Sequence, residues 1–133
     1  MCSCDYDEQP EFYYRKTRKS RQPHTCDECR RTIQPGETYD LHVGKWDGRI
    51  DTFRWCAHCT AAQKIVAERV DCDCWTFGDL WHDSLGEDIR ESRDLRSWRL
   101  WVAAQHDWTY RRGPKAGQLM PVPTFAVELR QGQ

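Results

Sequence analysis

The chain has no long apolar run: none of its 133 residues belongs to a stretch approaching 18 apolar positions, so no membrane-spanning helix is expected. The start, Met1-Cys2-Ser3-Cys4-Asp5-Tyr6-Asp7, lacks the apolar segment of an export signal, and a cytoplasmic location is expected. Apolar residues are scarce at 38%, and the mean hydropathy of -0.91 is low for a core that must hold a fold unaided. Seven Trp offset this in part, because each buries a large area. An excess of one charge is also missing. Twenty Lys and Arg against 21 Asp and Glu leave a formal charge of -1, which removes the bulk argument for nucleic-acid binding. No glycine-rich phosphate loop and no Ser-His-Asp set can be read from the sequence.

What the chain does have is cysteine, eight in all, in close pairs. In a reducing compartment such pairs point to metal rather than to disulfides. A secreted disulfide framework fits less well, since the export signal is missing and the pairs are tight. Cys26-x2-Cys29 and Cys56-x2-Cys59 are separated by 26 residues. Two residues between thiolates let one turn aim both sulfurs at one ion, and two such pairs close a tetrahedron. A redox Cys-x-x-Cys pair is the alternative, weakened by the presence of its twin. Cys2-x-Cys4 and Cys72-x-Cys74 remain once that site is filled, and they are expected to form a second Cys4 site joining the N-terminus to the end of the first helix. Free thiols or a weak local pair are the alternatives there. Two zinc ions are therefore expected, although iron suits the same S4 geometry. They would bring the chain to a charge of about -5. His24 and His58 lie near the first set but read as neighbours rather than replacement ligands.

Residues 1–11 are acidic, and residues 12–22 reverse the sign. Five basic residues, Arg15, Lys16, Arg18, Lys19 and Arg21, follow Tyr13 and Tyr14. Arg31-Thr32-Ile33 reads as a short extended piece and Gln34-Pro35-Gly36-Glu37 as a turn. Thr38–Val43 and Arg49–Trp55 alternate as strands around Lys45-Trp46-Asp47-Gly48, whose Asp-Gly step signals a hairpin. Ile50, Thr52 and Arg54 fall on one face of the second strand, Phe53 and Trp55 on the other. Ala57–Val70 reads as a helix, a second is expected over Asp79–Leu85, and a third over 94–112 with Trp98, Trp101 and Trp108 along an inward stripe. Beyond Gly113-Pro114 an extended segment is expected.

A knuckle, a hairpin and a helix that supplies two ligands from its first turn make a treble-clef arrangement. The expected class is α+β: a double zinc-binding treble-clef-like domain over 1–82, a helical extension packed on it over 83–112, and an extended C-terminal tail over 113–133.

Cys2-Ser-Cys-Asp-Tyr-Asp, the aromatic and basic arm, Cys26-x2-Cys29-Arg-Arg-Thr-Ile-Gln-Pro-Gly-Glu-x-Tyr39, Gly44-x-Trp-Asp-Gly48, Cys56-x2-Cys59 and Cys72-x-Cys74-Trp-x-Phe-Gly78 form an ordered set. Over residues 1–82 this set resembles a group of small, mostly uncharacterised bacteriophage and prophage proteins. The resemblance implies a zinc-ribbon-like or treble-clef fold, an accessory role, and the cytoplasm of a host cell. It implies no activity.

Three functional expectations follow. The first is a non-catalytic module that binds and modulates a host or phage protein, counter-defence among the roles, with Trp46 at the hairpin tip as an exposed anchor. The second is nucleic-acid binding by Tyr13, Tyr14, Arg15, Lys16, Arg18, Lys19 and Arg21, with cations for phosphate and rings for stacking. A solvated arm or edge strand explains the same residues. The third and remote one is an HNH-like nuclease with His42 as base; the helix after Cys59 has no His or Asn to hold a catalytic ion. The chain is expected not to be an enzyme. Arg90, Arg93, Arg96 and Arg99 recur every third residue, and pairing with Glu87, Asp88, Glu91 and Asp94 accounts for them. Monomer and homodimer are equally open.

Overall fold

The computed structural model describes residues 10–69, 77–78, 80–81 and 89–124. It is a mixed α+β fold, with strands β1 (Phe12–Lys19), β2 (His24–Thr25), β3 (Thr32–Ile33), β4 (Thr38–Trp46) and β5 (Arg49–Cys56), and helices α1 (Ala57–Arg69) and α2 (Leu95–Gln105). The hairpin expected from the Asp-Gly step is β4–β5, with Trp46 opposite Arg49. Asp47 and Gly48 take φ of 51° and 75°, the left-handed pair that matches the twist of the flanking strands. The basic arm adds a third strand. β1 runs antiparallel to β4, from Phe12 opposite Lys45 to Lys19 opposite Thr38, giving the order β1-β4-β5. Its eight residues are all exposed, and its cations line the sheet edge, where charge discourages further strands from adding. β2 and β3 form a separate two-stranded ribbon.

The alternation of β4 and β5 gives the sheet two unlike faces. On one, His42, Trp55 and Asp40 are buried, and Phe53 stacks on Phe77 with centroids 4.6 Å apart. This face packs inward. The other carries Ile50, Thr52 and Arg54, as the sequence pattern predicts, and Ile50 is 65% exposed.

The core is small and aromatic. Among the described residues Trp55, Trp81 and Trp108 are the largest fully buried side chains, joined by Ile33, Ile65, Leu80 and Ile89. Trp81 and Trp108 meet edge to face at 6.0 Å. α1 turns Ala62, Ile65 and Val66 inward.

The third expected helix is shorter than its periodicity suggests. α2 begins where Asp94 caps it, its carboxylate accepting the Ser97 N–H at 2.9 Å. It ends at Gln105 rather than 112, because Asp107 and Trp108 adopt φ of 58° and 59° and the Trp108 N–H returns to the Ala103 carbonyl at 2.8 Å. Leaving the helix carries Trp108 into the core, beside the His58 ring. The expected inward stripe is corrected with it: Trp98 stays 41% exposed, stacked on Trp101, whose indole N–H donates to the Trp81 carbonyl. Asp94 also pairs with Arg69 of α1 at 2.6 Å, so its partner lies across the fold rather than one turn along its own helix.

Residues 109–120 close a loop. Thr109 bridges Leu119, and the Met120 N–H donates to the Trp108 carbonyl at 2.7 Å. The His58 Nε2–H then donates to the Met120 carbonyl at 2.6 Å, so residues up to Met120 dock on α1 rather than extend away. The helix expected over 79–85 falls largely outside the described residues, as do residues 125–133. No helix among the described residues is long and apolar enough to cross a membrane.

Candidate metal centre

The first cysteine pair sits in a tight turn between β2 and β3. The Cys26 N–H donates to the Arg31 carbonyl at 2.8 Å, and the Arg30 N–H to the Cys26 carbonyl at 3.0 Å. Arg30 takes φ of 69°, a left-handed position that lets the chain reverse and turns both sulfurs to one side. In the second pair, Cys56 closes β5 and Cys59 lies in the first turn of α1. The hairpin folds the two pairs together, so that all four sulfurs lie within 4.8 Å of one another.

The spacing fits a metal and not a disulfide. Cys26 Sγ is 3.8 Å from Cys59 Sγ, and Cys29 Sγ is 3.8 Å from Cys56 Sγ. A disulfide needs about 2.05 Å. A tetrahedron of thiolates with metal–sulfur bonds of about 2.3 Å has edges of about 3.8 Å. The group can hold one metal ion, and four protein ligands leave no open position for substrate. Cys26, Cys56 and Cys59 are buried and Cys29 is half-buried.

The surroundings favour thiolate. The Cys56 N–H points at Cys26 Sγ (3.3 Å), the Cys59 N–H at Cys56 Sγ (3.4 Å), and the Trp81 indole N–H at Cys59 Sγ (3.4 Å). Such donors, two of them at a helix N-terminus, stabilise negative sulfur. Hydrogen bonds from Cys26, Cys29 and Cys59 hold Cys56 far below the ordinary thiol range, while burial pushes Cys59 well above it. Four thiols this close cannot all ionise unaided; a divalent cation lets them do so.

Arg31 adds a balancing charge. Its burial opposes the guanidinium, but both oxygens of Glu37 grip it at 2.9 and 3.0 Å and the Cys56 sulfur lies close, and these keep it firmly protonated. Glu28, inside the turn between Cys26 and Cys29, is buried and accepts three bonds: from Trp55 Nε1 (2.7 Å), the Gly78 N–H (2.8 Å) and the Leu80 N–H (2.8 Å). It ties the turn to β5, Gly78 and Leu80. Burial pushes its carboxyl above the usual range despite these bonds. A charged residue between two cysteines gives no sign of this in sequence, and neither Glu28 nor Trp81 is marked by any motif.

No family model, curated protein or solved structure matches this chain.

The other expected site residues are dispersed. Cys2, Cys4, Cys72 and Cys74 lie outside the described residues. His24 stands beside Tyr39 at 5.3 Å and His58 bonds Met120, so neither belongs to the sulfur group. His42 is on the hairpin but sealed, 1% exposed against Trp55 and Phe77. It shares a 2.6 Å hydrogen bond with the Tyr13 hydroxyl, and burial depresses its pKa to about 4. Trp46 is not the exposed anchor expected. Its indole folds over Gly44, where any Cβ would overlap it, and packs edge-on to Phe53 and Phe77. The basic run is divided by strand alternation. Arg15 and Lys19 share the side of Tyr13, while Lys16 and Arg18 share the side of Tyr14; Arg21 follows the strand.

Proposed function

We propose that this chain is a non-catalytic, zinc-stabilised binding module, with Zn2+ held by Cys26, Cys29, Cys56 and Cys59 in a treble-clef-like unit. The observation that carries the reading is the cluster of four sulfurs within 4.8 Å of one another, two of whose separations, Cys26–Cys59 and Cys29–Cys56, stand at the 3.8 Å edge of a tetrahedral thiolate site. A closed site serves structure, and the small apolar content gives it something to stabilise. The residues would hold the ion; the ion would supply cross-linking of the turn between β2 and β3, strand β5 and helix α1, with no catalytic step. The second set, Cys2, Cys4, Cys72 and Cys74, is proposed to hold a second ion.

The resemblance to phage and prophage proteins supports an accessory role in a host cytoplasm, exercised by contact with a host or phage macromolecule. With His42 sealed and the Trp46 ring folded over Gly44, the outer face of the sheet, which exposes Phe12, Tyr14 and Ile50, is one surface among the described residues that offers contact. Native mass spectrometry with elemental analysis tests the module. Two zinc per chain are expected, and Cys26→Ser with Cys59→Ser should remove one. A chain purified from zinc-supplemented culture without metal would refute it.

A further inference from the structure

We propose that the outer face of the β1-β4-β5 sheet, with the cleft beside it, binds single-stranded nucleic acid. The inference rests on the binding-module reading and names its partner. Strand pairing places Phe12, Tyr14, Lys16 and Arg18 of β1 on the same face as Arg54 of β5. Phe12 and Tyr14 are 42% and 52% exposed, so their rings are available to bases. Val43 and Thr52 continue the row of Tyr14 across the sheet and leave it flat beside the ring.

The side chains that the strands place on this face carry charge of one sign. Its three strands contribute no carboxylate to it, because Asp40 and Asp51 project from the opposite side; at the β5 edge the Asp27 carboxylate accepts the Arg54 backbone N–H at 2.7 Å. Glu11 approaches only at the far end, where it bridges Lys45 at 3.4 Å. Lys16, Arg18 and Arg54 make no ion pair among the described residues. Past Arg18 the face opens into a cleft of about 1010 Å³, lined by Arg18, Lys19, Arg21, His24, Tyr39 and Arg54, with no acidic residue in its walls.

Rings at one end and cations at the other suit a polyanion that carries flat bases. From Phe12 to Arg18 the strand runs about 20 Å, room for a short stretch of single strand. Bases stack on exposed rings, and phosphates follow a basic groove. A duplex hides its base faces from Phe12 and Tyr14. An acidic protein segment would meet the cations but leave the rings unused. The chain's overall charge of -1 is no obstacle, since the field that matters is local at physiological salt.

The test is fluorescence anisotropy of the full, zinc-loaded chain with labelled oligo-dT and oligo-rU of about 15 nucleotides, a duplex of equal length, and polyglutamate. The single strands should bind best, with affinity falling as salt rises. Tyr14→Ala and Phe12→Ala should each weaken them about tenfold. Lys16→Gln, Arg18→Gln and Arg54→Gln should each lower the log–log salt slope by about 0.7. All five variants should keep parental zinc content and circular dichroism. A zinc-loaded chain that binds no single strand overturns the inference and leaves the module standing; a chain without zinc fails the module itself. Binding that ignores Tyr14→Ala and Phe12→Ala overturns the assignment of this face. Stronger retention of polyglutamate or duplex gives the face to an acidic protein or to double-stranded DNA.

Discussion

Glu28 offers the sharpest stability prediction. Its Oε2 accepts from the Trp55 indole and the Gly78 amide, and its Oε1 from the Leu80 amide, all within 2.8 Å; the Trp55 and Leu80 bonds are buried and the Gly78 bond is half-buried. Glu28→Ala removes the acceptor of two buried donors, each costing about 1–3 kcal/mol, and of the half-buried Gly78 N–H. The net is smaller than the sum, because burial of the carboxyl is itself unfavourable, as its raised pKa shows. A loss of about 3–5 kcal/mol is expected. Glu28→Gln keeps one oxygen for Trp55 and Gly78 but turns an N–H against Leu80, and should cost about 1–2 kcal/mol. Urea unfolding in reducing, zinc-saturated buffer, followed by Trp fluorescence and circular dichroism, measures both. Zinc content should not change in the folded variants. If Glu28→Ala unfolds within about 0.5 kcal/mol of the parent, the buried three-donor acceptor is not as described.

Gly44→Ala should destabilise by about 1–3 kcal/mol, since its methyl group displaces the Trp46 indole, and the Trp emission should shift to the red. Asp94→Ala removes both the α2 cap and the Arg69 pair, and about 1–2 kcal/mol should be lost in the same assay. The pH dependence of stability should fall on the acid side. His42 is neutral in the fold, with a pKa near 4 against about 6.5 when unfolded, so its contribution is complete above pH 6.5 and disappears as pH drops toward 4. Asp94, whose pKa the Arg69 side chain lowers to about 2, adds stability above pH 4 that is lost as pH falls to 2. The gap between the stability curves of the parent and His42→Gln should be constant above pH 6.5 and narrow as pH falls from 6.5 toward 4.

The cysteine spacing carried most of the site. Two Cys-x2-Cys pairs around an Asp-Gly hairpin fix which sulfurs meet, because the hairpin returns the chain to where it began and the structure brings Cys26, Cys29, Cys56 and Cys59 together. Local patterns carried the strands for the same reason: the alternation of Arg49–Trp55 depends only on which residues can face the core. Long-range packing was not legible. Charge alone leaves the run Arg15–Arg21 open between a solvated arm and an edge strand, and the structure pairs its backbone with β4 along its length to Lys19. Helical periodicity continues past Gln105, but burying Trp108 outweighs one more turn of helix. Trp46 reads as an exposed tip until Gly44 opens a place for its ring. Nothing in the sequence marks Glu28, on which three donors from distant segments converge.

X-ray absorption at the zinc edge, on zinc-loaded chain carrying Ser at positions 2, 4, 72 and 74, isolates the central site. The account predicts four sulfur neighbours at about 2.3 Å and no nitrogen or oxygen. A shell containing histidine or water, or a folded chain that holds no zinc, would contradict it.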